Sequence, residues 1–144
     1  MNTHETYVSL EVAKLLKQAG FDWDCLMRYW SDTGKTEWFG NSMIVNPYGN
    51  DTIPCPTLAV VQRWLKEEKG WIVESAWHSK KSNYGIVEEE CYTCHLFYPV
   101  TFQREGIEMY DVHVETDKIH YPTYESALEA GIKKCLTLIL EEKI

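Results

Sequence analysis

Between Trp71 and Thr116 three strand-like runs follow one another: "WIVESAWH", "IVEEECYTCHLFYPV" and "IEMYDVHVET". Only "SKKSNYG" and "TFQREG" divide them, and both read as hairpin connections. No helix-length segment lies between the runs, so no crossover connection is available and the strands must pair antiparallel. A meander of this kind needs apolar cover on at least one face, and the flanking sequence supplies it.

Three helices are expected. In "VSLEVAKLLKQAGF" Ser9 is a good N-cap, Glu11 falls in the first turn near the positive end of the dipole, and Gly20 suits a left-handed stop. Val12, Leu15, Leu16 and Ala19 form its apolar stripe, with Lys14, Lys17 and Gln18 facing away. "PTLAVVQRWLKEEKG" is the second helix, with Pro56 tolerated in its first turn, Gly70 closing it, and Leu58, Val61 and Leu65 buried beside Val60 and Trp64. "PTYESALEAGIKKCLTLILEE" is the third, capped by Thr123. Its stripe is Tyr124, Leu128, Ile132, Cys135, Leu136 and Ile139, and Gly131 on the same face predicts a close approach of the helix backbone to the sheet.

Between the first two helices, Phe21, Trp23, Cys25, Met27 and Tyr29 alternate with Asp22, Asp24 and Arg28, which predicts a strand. "SDTGK" is its turn, and a second strand runs through Trp38 to Val45. "NPYGNDTIPCP", Asn46 to Pro56, is dense in turn residues and predicts a long surface loop. The order α-β-β-α-β-β-β-α predicts an α+β fold, a twisted antiparallel sheet packed by helices. A chain of 144 residues, 44% of them apolar, is long enough to bury one core, and 1–144 is expected to form a single domain.

The blocks "YVSLEVAKLLKQAGFDWDC", "CPTLAVVQRWLKEEKG" and "TYESALEAGIKKCLTLIL" are similar to parts of short proteins carried by phages and mobile elements of gut anaerobes, a family without an assigned function. More distantly, the helix, the Trp-containing strands and the Ala-rich last helix resemble phage α/β sandwich domains. The resemblance covers both ends and the second helix and leaves the middle aside. It implies a fold and a genomic setting, and it brings no catalytic motif.

Several local patterns invite chemistry. Cys91, Cys94 and His95 spell C-x-x-C-H, the pattern of covalent haem, half a zinc site or a redox pair. On a strand, however, positions 91 and 94 point to opposite faces and cannot chelate one ion or form a disulfide. Cys25, Cys55 and Cys135 are scattered and supply no second pair. "DTGKT" lacks the earlier glycine of a phosphate loop, since position 29 is Tyr, and reads as a hairpin turn. A helix-turn-helix from Ser9 onward would put Asp22 and Asp24 against phosphates. The α-β-β-β-α order from Pro56 matches double-stranded RNA-binding domains, but the last helix begins "PTYESALE", with acids where lysines are needed.

A further candidate is not a linear motif. If Tyr110, Val112 and Val114 face the core, Met109, Asp111, His113 and Glu115 face outward, as do Cys91, Thr93, His95 and Phe97 on the neighbouring run. A tight turn around "QREG" would then set His95 opposite or nearly opposite His113, with Asp111 or Glu115 near enough for a metal ion or acid–base work. The competing reading is a solvated sheet face with two incidental histidines.

The formal charge of −8 is spread along the chain without a basic cluster, which argues against nucleic acid or an anionic membrane as a partner. No apolar run approaches the roughly 20 residues of a membrane span. "MNTHETYVSLEVAKLL" lacks the basic and apolar regions of a secretory signal, so a cytoplasmic location with reduced thiols is expected. No cofactor is implied. The six Trp and nine Tyr point to a non-catalytic protein-interaction module. The alternatives are a small-molecule or metal-binding domain using the His95/His113 face, and a DNA-associated regulator.

Overall fold

The computed structural model describes residues 6–38, 51–81, 84–85, 87–116 and 119–141. It is α+β, as expected: α1 (Leu10–Gln18), β1 (Met27–Trp30), β2 (Thr36–Trp38), β3 (Thr52–Pro54), α2 (Leu58–Trp64) with a π-helical turn (Leu65–Lys69), β4 (Ile72–Lys81), β5 (Val87–Arg104), β6 (Ile107–Thr116) and α3 (Tyr124–Glu141). Where one sheet was expected there are two among the described residues, each of three antiparallel strands, in the orders β2-β1-β3 and β4-β5-β6. The chain forms two compact units: residues 1–64 with 132–144, and residues 65–131.

The first unit is built on α1. Ser9 caps it by accepting a hydrogen bond from the Val12 amide at 3.3 Å, and Gly20 leaves it at φ +90°. Its buried residues are Val12, Ala13 and Leu16. The chain does not enter a strand directly after Gly20, as the alternation suggested. Phe21 to Leu26 is irregular, and β1 starts at Met27. The alternation has a different cause: Phe21 packs on Trp64 with ring centroids 5.3 Å apart, and the Arg63 guanidinium lies 5.5 Å over Trp23.

"SDTGK" is the β1–β2 turn, closed by Gly34 N–H donating to Trp30 O at 2.8 Å. The turn-rich stretch contains an unexpected strand. Thr52–Pro54 pairs with β1, and Ile53 and Cys55 are core residues. Pro54 is tolerated because β3, among the described residues, is an edge strand and owes no amide to an outer neighbour. The expected continuation of the second strand through 39–45 and the first part of the loop, 46–50, lie outside the described residues. Arg28, assigned by alternation to a polar face, is 6% exposed in the central strand, where Nη1 donates to Thr52 Oγ1 at 3.3 Å.

The second helix was expected to run unbroken to Gly70. It widens into a π turn at Leu65, and the change falls at the boundary between the two units. Trp64 and Leu65 are both almost fully buried. Trp64 packs on Phe21 of the first unit.

In the second unit β4 and β5 form a continuous ladder from Ile72↔Phe97 to Lys80↔Glu89. The β5–β6 hairpin closes at Arg104↔Ile107. Its central residues, Glu105 and Gly106, have φ of 54° and 79°, the signature of a two-residue type I′ turn. Thr123 caps α3, accepting from the Ser126 amide at 3.0 Å. Gly131 faces the sheet as expected: a Cβ there would stand 3.0 Å from Cys94 Cβ and 3.0 Å from Val73 Cγ1. That contact identifies the sheet face carrying Val73, Cys94 and Leu96 as the one under the helix.

Candidate functional site

The sheet of the second unit decides the two sequence candidates first. Cys91 and Cys94 sit three rungs apart in an unbroken ladder, opposite His78 and Ser75, so they belong to opposite faces. All five cysteines are buried and none is in a disulfide. Cys91, on the side expected to face solvent, is therefore covered.

His95 and His113 do lie on adjacent strands, but they are not cross-strand neighbours. His95 is aligned with Thr116, and His113 with Tyr98. The turn at Glu105 and Gly106 fixes this register, three positions from the one that would join the histidines. An odd offset assigns the two positions to different faces. His95 instead has its Nε2 3.0 Å from Thr93 Oγ1 and faces Glu74 across the ladder. Among the described residues no three His, Cys, Asp or Glu side chains converge as metal ligands.

The first unit holds the better-formed concavity. Three segments build it. The segment before α2 is pinned by Val8 N–H donating to Pro56 O at 3.0 Å and Leu58 N–H donating to Thr6 O at 2.9 Å, which brings Tyr7 beside Thr57. The β1–β2 ladder sets Trp38 opposite Met27. The irregular run before β1 contributes Asp24, Cys25 and Leu26. Together they line a groove of about 210 Å³. Its rim is apolar and wet: Tyr7 is 38% exposed, Leu26 44% and Trp38 58%. Its floor includes Cys25 and Cys55, both buried.

Burial pushes the Cys55 thiol above its ordinary pKa, and a hydrogen bond with the Tyr29 side chain offsets this only in part. The Tyr29 hydroxyl donates to Val8 O at 2.7 Å, tying β1 to the segment that carries Tyr7. A thiol held in its protonated form is a poor nucleophile. The groove therefore has the chemistry of a contact surface: aromatic and aliphatic side chains, a carboxylate at Asp24, and on its floor a poorly nucleophilic Cys55.

A larger trough of about 510 Å³ lies between α1 and α3, lined by Leu10, Glu11, Lys14, Leu15, Lys133 and Thr137. It is crossed by a Lys133–Glu11 ion pair at 2.7 Å whose side chains are half-exposed or more. Such a pair is worth little and leaves the trough a solvated seam between helices. The smaller apolar groove is the stronger candidate. Sequence reading missed it because its residues come from positions 7 to 60 and share no motif. The one available signal was Trp38 in a short polar strand.

No family model, curated protein or solved structure matches this chain. No helix among the described residues is long and apolar enough to cross a membrane.

Proposed function

We propose that this protein is a non-catalytic interaction module whose groove takes an extended segment of a partner protein. That segment carries an apolar anchor flanked by Lys or Arg. The observation behind this reading is Trp38, 58% exposed on β2, which among the described residues is an outer strand of its sheet, beside Leu26 and Tyr7. Clustered exposed apolar side chains mark contact sites, and Trp and Tyr are the usual anchors of such sites. An edge strand offers its outer backbone groups to an added strand.

Charge sets the flanking residues. Asp24 is the acidic residue among the described residues of the groove lining, and the whole chain carries −8. Complementarity therefore favours a basic segment and disfavours a polyanion such as DNA or RNA. Five cysteines without a disulfide support a reducing, cytoplasmic setting. The resemblance to proteins of phages and mobile elements supports a host or phage protein as the partner.

Selection of short peptides from a displayed random library on the wild-type protein, with counter-selection on Trp38→Ala, tests this function. Enriched sequences should combine an aromatic or aliphatic residue with neighbouring Lys or Arg. Enrichment of acidic peptides, or equal enrichment on wild type and Trp38→Ala, would refute it.

A further inference from the structure

The second unit carries a pair of histidines that no linear pattern joins. His78 belongs to β4 and lies opposite Cys91 of β5. His120 precedes Tyr121, which is locked to β5 by two reciprocal hydrogen bonds with Tyr92, each 2.8 Å. That bridge lies along the edge of β5 away from β4, on the stretch that β6 leaves unpaired. The backbones of His78 and His120 thus flank β5 on either side. Their rings nevertheless come within 5.0 Å, centroid to centroid, at an interplanar angle of 47°. They meet above β5 on the face away from α3, the face to which Cys91 also belongs.

This separation is compatible with a shared ion. With metal–nitrogen bonds of roughly 2.1 Å and a ring centre about 1.1 Å behind the nitrogen, two tetrahedral imidazole ligands place their centroids about 5.2 Å apart. The observed 5.0 Å fits that value, and the 47° tilt is not that of a face-to-face stack. Both imidazoles are exposed, so an ion reaches them without any rearrangement of the core.

We propose that His78 and His120 form a two-imidazole site for a divalent transition-metal ion of the Zn²⁺, Ni²⁺ or Cu²⁺ class, the ions that imidazole suits best. No third protein donor converges on the pair among the described residues, so the remaining positions belong to water or to a ligand from outside. The ion exchanges readily and clasps the segment before α3 to the sheet. The site is independent of the groove in the first unit.

The test is titration of the whole protein with Zn²⁺ by calorimetry, alongside thermal melting. Wild type is expected to bind one ion per chain and to melt at higher temperature with Zn²⁺ present. His78→Gln and His120→Gln should each weaken binding at least tenfold and abolish the melting shift. His95→Gln and Cys91→Ser should leave both unchanged. The His78 and His120 variants change exposed side chains, so their melting without metal should match wild type, which separates loss of the site from loss of the fold. Equal Zn²⁺ affinity in wild type and either of these variants would overturn the assignment. So would loss of binding in Cys91→Ser, or no saturable binding by wild type.

Discussion

Gly131 of α3 lies directly on Cys94 of β5, so close that a Cβ at position 131 would stand 3.0 Å from Cys94 Cβ. Two effects compete in Gly131→Ala. Alanine in a helix interior gains about 1 kcal/mol over glycine, whereas overpacking a core contact costs roughly 1–3 kcal/mol. The atoms in the way are a Cβ and a β-branched Cγ, neither of which can swing aside. Gly131→Ala is therefore expected to lower stability by about 1 kcal/mol in urea unfolding, and Gly131→Leu by more. A stabilised Gly131→Ala would show that helix and sheet are further apart.

The β5–β6 turn offers a gain. Glu105 occupies the left-handed region at φ 54°, which costs a non-glycine residue roughly 1 kcal/mol and costs asparagine less. Glu105→Asn should raise stability by about 0.5 kcal/mol, measured as an increased urea midpoint at unchanged slope. A lower midpoint would contradict the type I′ assignment.

Much of this framework was legible because its signals are local. Ser9, Gly20 and Thr123 act on backbone groups within one helical turn, and "QREG" carries its turn chemistry in adjacent residues. Gly131 could be read because only a missing side chain on an apolar stripe needs such a reason. The failures are non-local. β3 is three residues long inside turn chemistry, and only pairing with β1 makes it a strand. Phe21 is apolar because Trp64 of α2 receives it, with no sheet involved. The His95/His113 register failed although β5 kept the phase read for it, with Cys94 and Leu96 on the face under α3. The turn's position then moved the pairing by three places. The groove was illegible because it joins segments distant in sequence.

The cysteines give a chemical prediction. All five are buried, so the native protein should react slowly with a thiol reagent at pH 8 and yield five equivalents after denaturation. Cys55 should be among the slowest, because burial raises its pKa. A raised folded-state value means that the protonated thiol is favoured in the fold. This contribution is fully present below the unfolded thiol's pKa and is lost as pH rises toward and through the folded value. Stability should thus fall at alkaline pH, starting near the ordinary value of 9.0, and Cys55→Ala should remove part of that slope. Rapid stoichiometric labelling of Cys55 in the native protein would contradict its burial.

The groove around Trp38 is proposed above all as a protein-binding site. Its most direct test is the affinity of one library-selected basic, apolar peptide for wild type, Trp38→Ala and Trp77→Ala. Trp77 is a fair control, being 55% exposed but located in the other unit. Trp38→Ala is expected to weaken binding at least tenfold, the loss of about 1.4 kcal/mol or more typical of an anchor residue. Trp77→Ala should bind like wild type. Equal affinity for wild type and Trp38→Ala, or equal losses in both variants, would contradict a binding role for the groove.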